Sequence, residues 1–243
     1  MKTVLIVGAN SDIAKATARQ YAQNGYNLLL TVRKKGQIDT FLKDLKIRYN
    51  CQVEVIMLDI LDCDVHQDFY EHIKQDVSGV IIAVGYLGEQ NKAQQQLKQT
   101  QRIINTNFTA VVSLLNIIAN DFEQRGTGFI VAISSVAGDR GRKKNYIYGA
   151  AKAGLTAYLS GLRNRLHDKG ITVLTVKPGF VYSKMTQGLD LPKKLIAQPQ
   201  DIAKAIYQAQ QKGKDVLYYL KKWRLIMWII KAIPEKIFKK LDL

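Results

Sequence analysis

Short apolar runs recur along this chain with helix-patterned segments between them, and few architectures accommodate that alternation. Val4–Val7, Asn27–Val32, Val53–Leu58, Gly79–Val84, Gly128–Ile133, Ile171–Val176 and, more weakly, Asp215–Leu220 are each four to six residues long. Most are apolar nearly throughout, which is how strands covered on both faces of a parallel sheet read. The segments Asp12–Gln23, Gln37–Tyr49, Val65–Asp76, Gln95–Gln124, Tyr148–Lys169 and Gln200–Gln211 carry apolar residues at helical spacing. Strand–helix alternation implies right-handed βαβ units, hence an α/β fold with a doubly wound parallel sheet of about seven strands. Gly25, Gly170 and Gly213 follow three of the helical segments, where a left-handed residue closes a helix. The polar, Gln-rich stretch Gln90–Gln101 reads as the exposed start of the long fourth helix. At 243 residues a single domain buries enough surface to be stable.

Charge narrows the partners. Lys and Arg number 36 against 20 Asp and Glu, a formal +16, and such a balance draws polyanions: nucleic acid, anionic lipid or phosphorylated substrates. No nucleic-acid-binding module is recognisable and the cations are spread over several loops, which argues against nucleic acid. Cys51 and Cys63 are the only cysteines, so free thiols in a reducing, cytoplasmic compartment are expected. With His66, His72 and His167 they make no metal-ligand pattern, and no metal is expected. The apolar start, Val4–Val7, runs straight into a glycine and reads as a buried strand, not a signal peptide.

The first strand leads into Gly8-Ala9-Asn10-Ser11-Asp12-Ile13-Ala14. In a Rossmann-type sheet, a dinucleotide pyrophosphate rests there on free N–H groups at a helix N-terminus. Gly8, Asn10, Ser11, Asp12 and Ile13 are therefore candidate contacts. Asp12 and Ala14 replace two glycines of the usual fingerprint, and the turn reads equally as a plain strand–helix connection with Ser11 or Asp12 as N-cap. Strand 2 ends in Val32-Arg33-Lys34-Lys35, cations where an NAD-type site carries an acid, so Arg33 suits the 2′-phosphate of NADP(H), the alternative being a solvated basic loop. After strand 3, Asp59 and Ile60 are candidates for the adenine, though Asp59 reads equally as a helix cap. After strand 4, Ala83 and Gly85 can pass a small backbone beneath a cofactor, or Gly85 is only a turn.

Chemistry concentrates further along. Tyr148 and Lys152 are four apart, one turn of one helix face, and a cation there would draw the phenol from about 10 toward working pH. Ser135, 13 residues before Tyr148 at the end of strand 5, can hold a substrate oxygen. Asn107, on the long helix, could anchor a proton-relay water.

This serine, tyrosine and lysine spacing on this strand order resembles the short-chain dehydrogenase/reductase family over about residues 1–215. The resemblance implies a catalytic tetrad of Asn107, Ser135, Tyr148 and Lys152, with Lys152 also on the nicotinamide ribose. It puts a Pro178-Gly179 turn after strand 6, with Val181 and Ser183 near the nicotinamide carboxamide. It further implies an oxidoreductase interconverting a ketone and a secondary alcohol with NADP(H), and leaves open a homo-oligomer formed through the helices bearing Asn107 and Tyr148 or a monomer, as in members with extended tails.

The loop Gly138-Asp139-Arg140-Gly141-Arg142-Lys143-Lys144-Asn145 lines the substrate cleft in that family, and its four cations suit a phosphate, or equally a solvated loop. Lys184, Lys193 and Lys194, beside Met185, Leu189, Leu191, Leu195 and Ile196, add a mouth that is cationic and apolar at once. Arg140, Arg142 and Lys184 are the candidate substrate contacts.

Residues 216–243 are expected to form a basic amphipathic helical extension beyond a catalytic domain of 1–215. Residues 212–243 hold nine Lys/Arg and three acids, with Trp223, Trp228, Ile229, Ile233, Ile237 and Phe238 on the apolar side. The uncharged run Leu225–Ile230 is shorter than the ~20 residues that span a bilayer. An anionic membrane surface met through 221–243 and packing on protein are both open readings. The loop, the Pro-Gly-Phe-Val-Tyr-Ser-Lys-Met turn and the basic tail together resemble the branch of decaprenylphosphoryl 2-keto-pentose reductases, whose substrate is a lipid-linked keto-sugar.

Overall fold

The structure, a computed structural model, describes residues 2–188 and 192–242. Its main sheet has seven parallel strands: β1 (Thr3–Val7), β2 (Asn27–Val32), β3 (Val53–Met57), β4 (Val77–Ile82), β5 (Phe129–Ile133), β6 (Thr172–Pro178) and, last in the chain, a strand at Val216–Tyr219. They lie in the order β3-β2-β1-β4-β5-β6, with the Val216–Tyr219 strand outside β6. The reversal between β1 and β4 opens a crevice at the strand C-termini, where α/β sheets take ligands.

Helices α1 (Asp12–Gln23), α2 (Asp39–Arg48), α3 (His66–Ile73), α4 (Gln90–Ala93), α5 (Leu97–Ile104), α6 (Ala110–Arg125) and α7 (Tyr146–Leu166) connect the strands. Strand β1 shows why the runs lack alternation. Val4 and Ile6 face a layer that includes Tyr21 of α1 and Leu45 of α2, whereas Leu5 and Val7 face Leu114 and Ile118 of α6 and Leu159 of α7. Both faces are dry, so every position selects an apolar side chain.

The expected continuous helix Gln95–Gln124 is interrupted. A π turn at Asn105–Thr109 separates α5 from α6, and Gln90–Gln101 is no single helix start: α4 is a separate turn with buried Ala93. The Thr100 hydroxyl donates to the Ala93 carbonyl and holds that break. By length and composition Leu97–Arg125 could cross a membrane, yet Val111, Leu114, Ile118 and Phe122 are buried in the core. Gly25, Gly170 and Gly213 take φ of 78°, 72° and 59°, the left-handed turns expected of them.

Two strands follow that the periodicity did not reveal. Strands β7 (Phe180–Val181) and β8 (Ile196–Ala197) form a two-residue parallel pair, too short for any pattern, before α8 (Pro199–Gln211). The boundary expected at 215/216 is also corrected. The strand Val216–Tyr219, here β9, pairs with Thr175–Pro178, so the sheet runs through it, and α9 (Lys222–Ala232) and α10 (Glu235–Phe238) follow.

Candidate active site

A cleft of about 430 Å3 lies along the strand C-termini. At one end, Gly8 leaves β1 with φ +86°, and its N–H donates to Thr31 Oγ1 at 3.2 Å. A Cβ there would lie 2.7 Å from Val84 Cγ1 and 3.2 Å from Val84 N, so only glycine lets β1 and β4 approach so closely. Ser11 is the N-cap of α1, its Oγ accepting from Ala14 N at 3.1 Å, which decides between the two expected caps. Asp12 takes another role: its Oδ2 accepts from the Lys184 N–H at 2.9 Å and ties the phosphate turn to the segment after β7. Asn10 and Ile13 also line this end.

The strand ends supply the rest of that half. Arg33 lines the cleft at the end of β2, while neighbouring Lys34 and Lys35 do not. Asp59 Oδ1 accepts from Leu61 N at 3.1 Å, holding a turn as well as facing the cleft beside Ile60. Ala83 and Gly85 form the floor, and Pro178, Gly179, Val181 and Ser183 close it from β6 and β7.

At the other end Ser135, Tyr148 and Lys152 meet. Lys152 is 2% exposed; its Nζ donates to the Ile133 carbonyl at 2.9 Å and lies 5.9 Å from the Tyr148 ring centre. Burial lowers the Lys152 ammonium to about 7. Burial also pushes the Tyr148 phenol up to about 12, against the opposite pull of its hydrogen bond with Ser135. This corrects the expected drop in Tyr148: the desolvation cost of a phenolate outweighs a lysine that is itself desolvated. Asn107 sits in the π turn, fully buried. Its Nδ2 donates to the carbonyls of Ile103 (2.8 Å) and Tyr86 (2.7 Å), and its Oδ1 accepts from Tyr86 N at 3.2 Å. It does not line the cleft but clamps the strand-4 loop that does.

A family model described as short chain dehydrogenase matches residues 2–194. The chain belongs to the short-chain dehydrogenase family. A relative named an uncharacterized oxidoreductase from Mycobacterium tuberculosis is 31% identical over 241 residues, covering 98% of this chain and 96% of its own. One from Streptomyces coelicolor, named likewise, is 29% identical, covering 99% and 96%. Among solved structures, a short-chain dehydrogenase from Sphingobium yanoikuyae in complex with NADPH superposes with a TM-score of 0.83 at 25% identity, covering 97% of both chains. The bulky-bulky ketone specific alcohol dehydrogenase from Comamonas testosteroni gives 0.80 at 25% identity, covering 97% of this chain and 96% of its own.

In this dehydrogenase the loop before Tyr148 does not serve the cleft as its sequence implied. Arg140 is turned away: its Nη1 donates to the carbonyls of Ile230 (2.5 Å) and Ile233 (2.6 Å), its Nη2 meets Glu235 at 2.8 Å, and its guanidinium stacks 3.7 Å from the Phe238 ring centre. Carbonyls left open at the end of α9 are the stronger acceptors for it. Arg142 donates to the Val136 carbonyl at 3.2 Å and also lies outside the cleft. Of the three expected substrate contacts, only Lys184 lines it, joined by Arg102, Thr106, Met185 and Thr186. Nothing in the spacing marks Arg102, whose guanidinium lies 4.5 Å from the Tyr86 ring centre, or Thr186, which knots the lid by donating to the Val181 carbonyl. Leu189 and Leu191 lie outside the described residues.

The dehydrogenase core leans on its tail. A Cβ on Gly179 would meet Trp223 Nε1 at 1.9 Å, so the indole packs directly on the Pro178-Gly179 turn. Trp223 and Met227 are buried with Val136, next to Ser135, against Phe180 and Leu195.

Proposed function

We propose that this chain is a cytoplasmic NADP(H)-dependent reductase that converts a ketone to a secondary alcohol with Tyr148 as proton donor. The observation that carries the reading is the meeting of Ser135, Tyr148 and Lys152 at one end of a cleft whose other end is shaped for a dinucleotide. The Gly8 turn and the N-terminus of α1 suit a pyrophosphate. Arg33, with no carboxylate at the end of β2, suits a 2′-phosphate. When bound, the reduced nicotinamide supplies hydride. Val181 and Ser183 would hold its carboxamide and Lys152 its ribose, Ser135 would hold the substrate carbonyl, and Asn107 fixes the backbone of Tyr86 beside them.

Burial pushes the Tyr148 phenol up to about 12, so it carries a proton at neutral pH, the form a proton donor needs in reduction. The Lys152 charge is present below about 7 and lost as pH rises through it. An anionic cofactor moves that midpoint upward. Reduction, read as kcat/KM, is therefore expected to fall between pH 6 and pH 9, by up to about tenfold per unit. A profile rising over that range would assign the working form to a Tyr148 phenolate and to alcohol oxidation.

Paired fluorescence titrations of NADPH and NADH, followed by energy transfer from Trp and Tyr to the nicotinamide, test the cofactor reading. NADPH is expected to bind at least tenfold tighter, about 1.4 kcal/mol, and Arg33→Ala to erase most of that preference. Tighter NADH binding would overturn the role of Arg33; no binding of either would overturn the enzyme reading.

For substrate we infer a ketone bearing an anionic group beside an apolar one, of which a lipid-linked or phosphorylated keto-sugar is an instance. Arg102 and Lys184 beside Met185 support it. The withdrawal of Arg140 and Arg142 favours a second reading, a soluble or acyl-type ketone. Comparing kcat/KM for a phosphorylated keto-sugar and its unphosphorylated parent, in wild type and Lys184→Met, separates the two. Only the first reading gives a phosphate preference that the variant loses.

A further inference from the structure

The tail has two faces of opposite use. Trp223 and Met227 turn inward and are 4% and 1% exposed. Leu225, Trp228 and Ile229, at i, i+3 and i+4 on the opposite side of α9, are 61%, 69% and 50% exposed, and Ile237 in α10 and Leu241 after it are 54% and 41% exposed. Helical spacing sets Lys222 on one flank of that outward stripe and Arg224 and Lys231 on the other. The platform is fixed to the body by Arg140, which grips the end of α9 and stacks on Phe238.

Its charges are distributed just as unevenly. Residues 221–243 hold seven Lys/Arg and two acids. Both acids are taken up by the loop before Tyr148: Glu235 by Arg140, and Asp242 by Lys143 and Lys144 at 3.7 and 3.6 Å. Among the described residues, none of the seven tail cations (Lys221, Lys222, Arg224, Lys231, Lys236, Lys239 and Lys240) is in an ion pair, although pairs occur elsewhere on the surface.

We propose that this outward face docks on an anionic lipid bilayer, lying in the interface with Leu225, Trp228 and Ile229 inserted and the lysines reaching the headgroups. An exposed tryptophan beside aliphatic side chains, rimmed by unpaired cations, matches the amphipathic surface of a helix lying in the headgroup region. Negative lipid supplies the charge these cations lack. A second copy of the chain does not: it would set one cationic face against another. Trp223 packs on Gly179 and Met227 clusters with Leu195, so the helix whose outer face docks rests its inner face on the segment that closes the cleft. Docking itself is independent of the reductase reading.

Co-sedimentation with vesicles of phosphatidylcholine, alone and with added phosphatidylglycerol, tests it without any turnover. Binding is expected only with the anionic lipid, weakening at high salt. Leu225→Gln/Trp228→Gln/Ile229→Gln should bind at least about tenfold more weakly with an unchanged melting temperature, since these side chains contact water in the free protein. A second variant, Lys222→Glu/Arg224→Glu, should lose the preference for anionic vesicles. Tryptophan emission should shift blue on vesicle binding in wild type, but not in Trp228→Phe, whose remaining Trp223 is already buried. Equal binding by the apolar variant, or equal binding to both vesicle types, would overturn the proposal. So would a wild-type dimer that the same variant dissociates while wild type ignores vesicles; that result would make the face a contact between copies.

Discussion

Tyr148→Phe is expected to lower turnover about 10²- to 10⁴-fold while leaving NADPH affinity within about twofold, the loss typical of removing a general acid. At 1.36 kcal/mol per decade the barrier rises by about 2.7 to 5.4 kcal/mol. The two readouts separate because the phenol oxygen is the only atom removed. The ring remains beside Lys152, whose Nζ stays on the Ile133 carbonyl, so the nicotinamide end of the cleft keeps its shape. Titration of NADPH and single-turnover reduction on the same preparation check the pair of claims. A variant retaining more than about a tenth of the rate would move the proton donor elsewhere. A variant that lost NADPH binding would mean that Tyr148 holds the cofactor and not the substrate oxygen.

What was legible in the sequence was what is local. The first helix was expected at Asp12–Gln23 and the second strand at Asn27–Val32, and both occupy those residues, because Ser11 caps the one and a two-face apolar run defines the other. Tyr148 and Lys152 could be paired from their spacing alone, since one helix turn carries both. Arg140 could not be read in this way: its partners lie 90, 93 and 95 residues downstream, and nothing in Asp139-Arg140-Gly141 distinguishes a tail clamp from a phosphate ligand. Asn107 was expected within one long helix, but it sits in the π turn between α5 and α6, and the turn that lets its amide reach Tyr86 leaves no mark in hydrophobic periodicity. The pKa of Tyr148 went the other way for a related reason. Proximity of a lysine is visible in sequence, whereas the burial of Lys152 and the desolvation of the phenol are properties of the assembled sheet, loop and tail.

That assembly rests on one buried ion pair. Asp139, in the loop before Tyr148, accepts from Lys177 Nζ of β6 at 2.5 Å and from the Tyr218 hydroxyl of β9 at 2.8 Å. The Lys177 and Asp139 side chains are only 9% and 3% exposed. Asp139→Ala would leave a buried ammonium without its carboxylate and a half-buried hydroxyl without its acceptor, and removal of one partner of such a pair costs about 3–5 kcal/mol. The urea midpoint should fall accordingly with the slope unchanged, since the same surface is exposed on unfolding. In Asp139→Leu/Lys177→Met both charges are gone and the space is refilled, so much of the loss should return. That non-additivity separates a charge stranded in the core from a loop that merely lost a contact. A cost under about 1 kcal/mol for Asp139→Ala would mean that water reaches Lys177, and that the loop before Tyr148 is held by Arg140 and the tail alone.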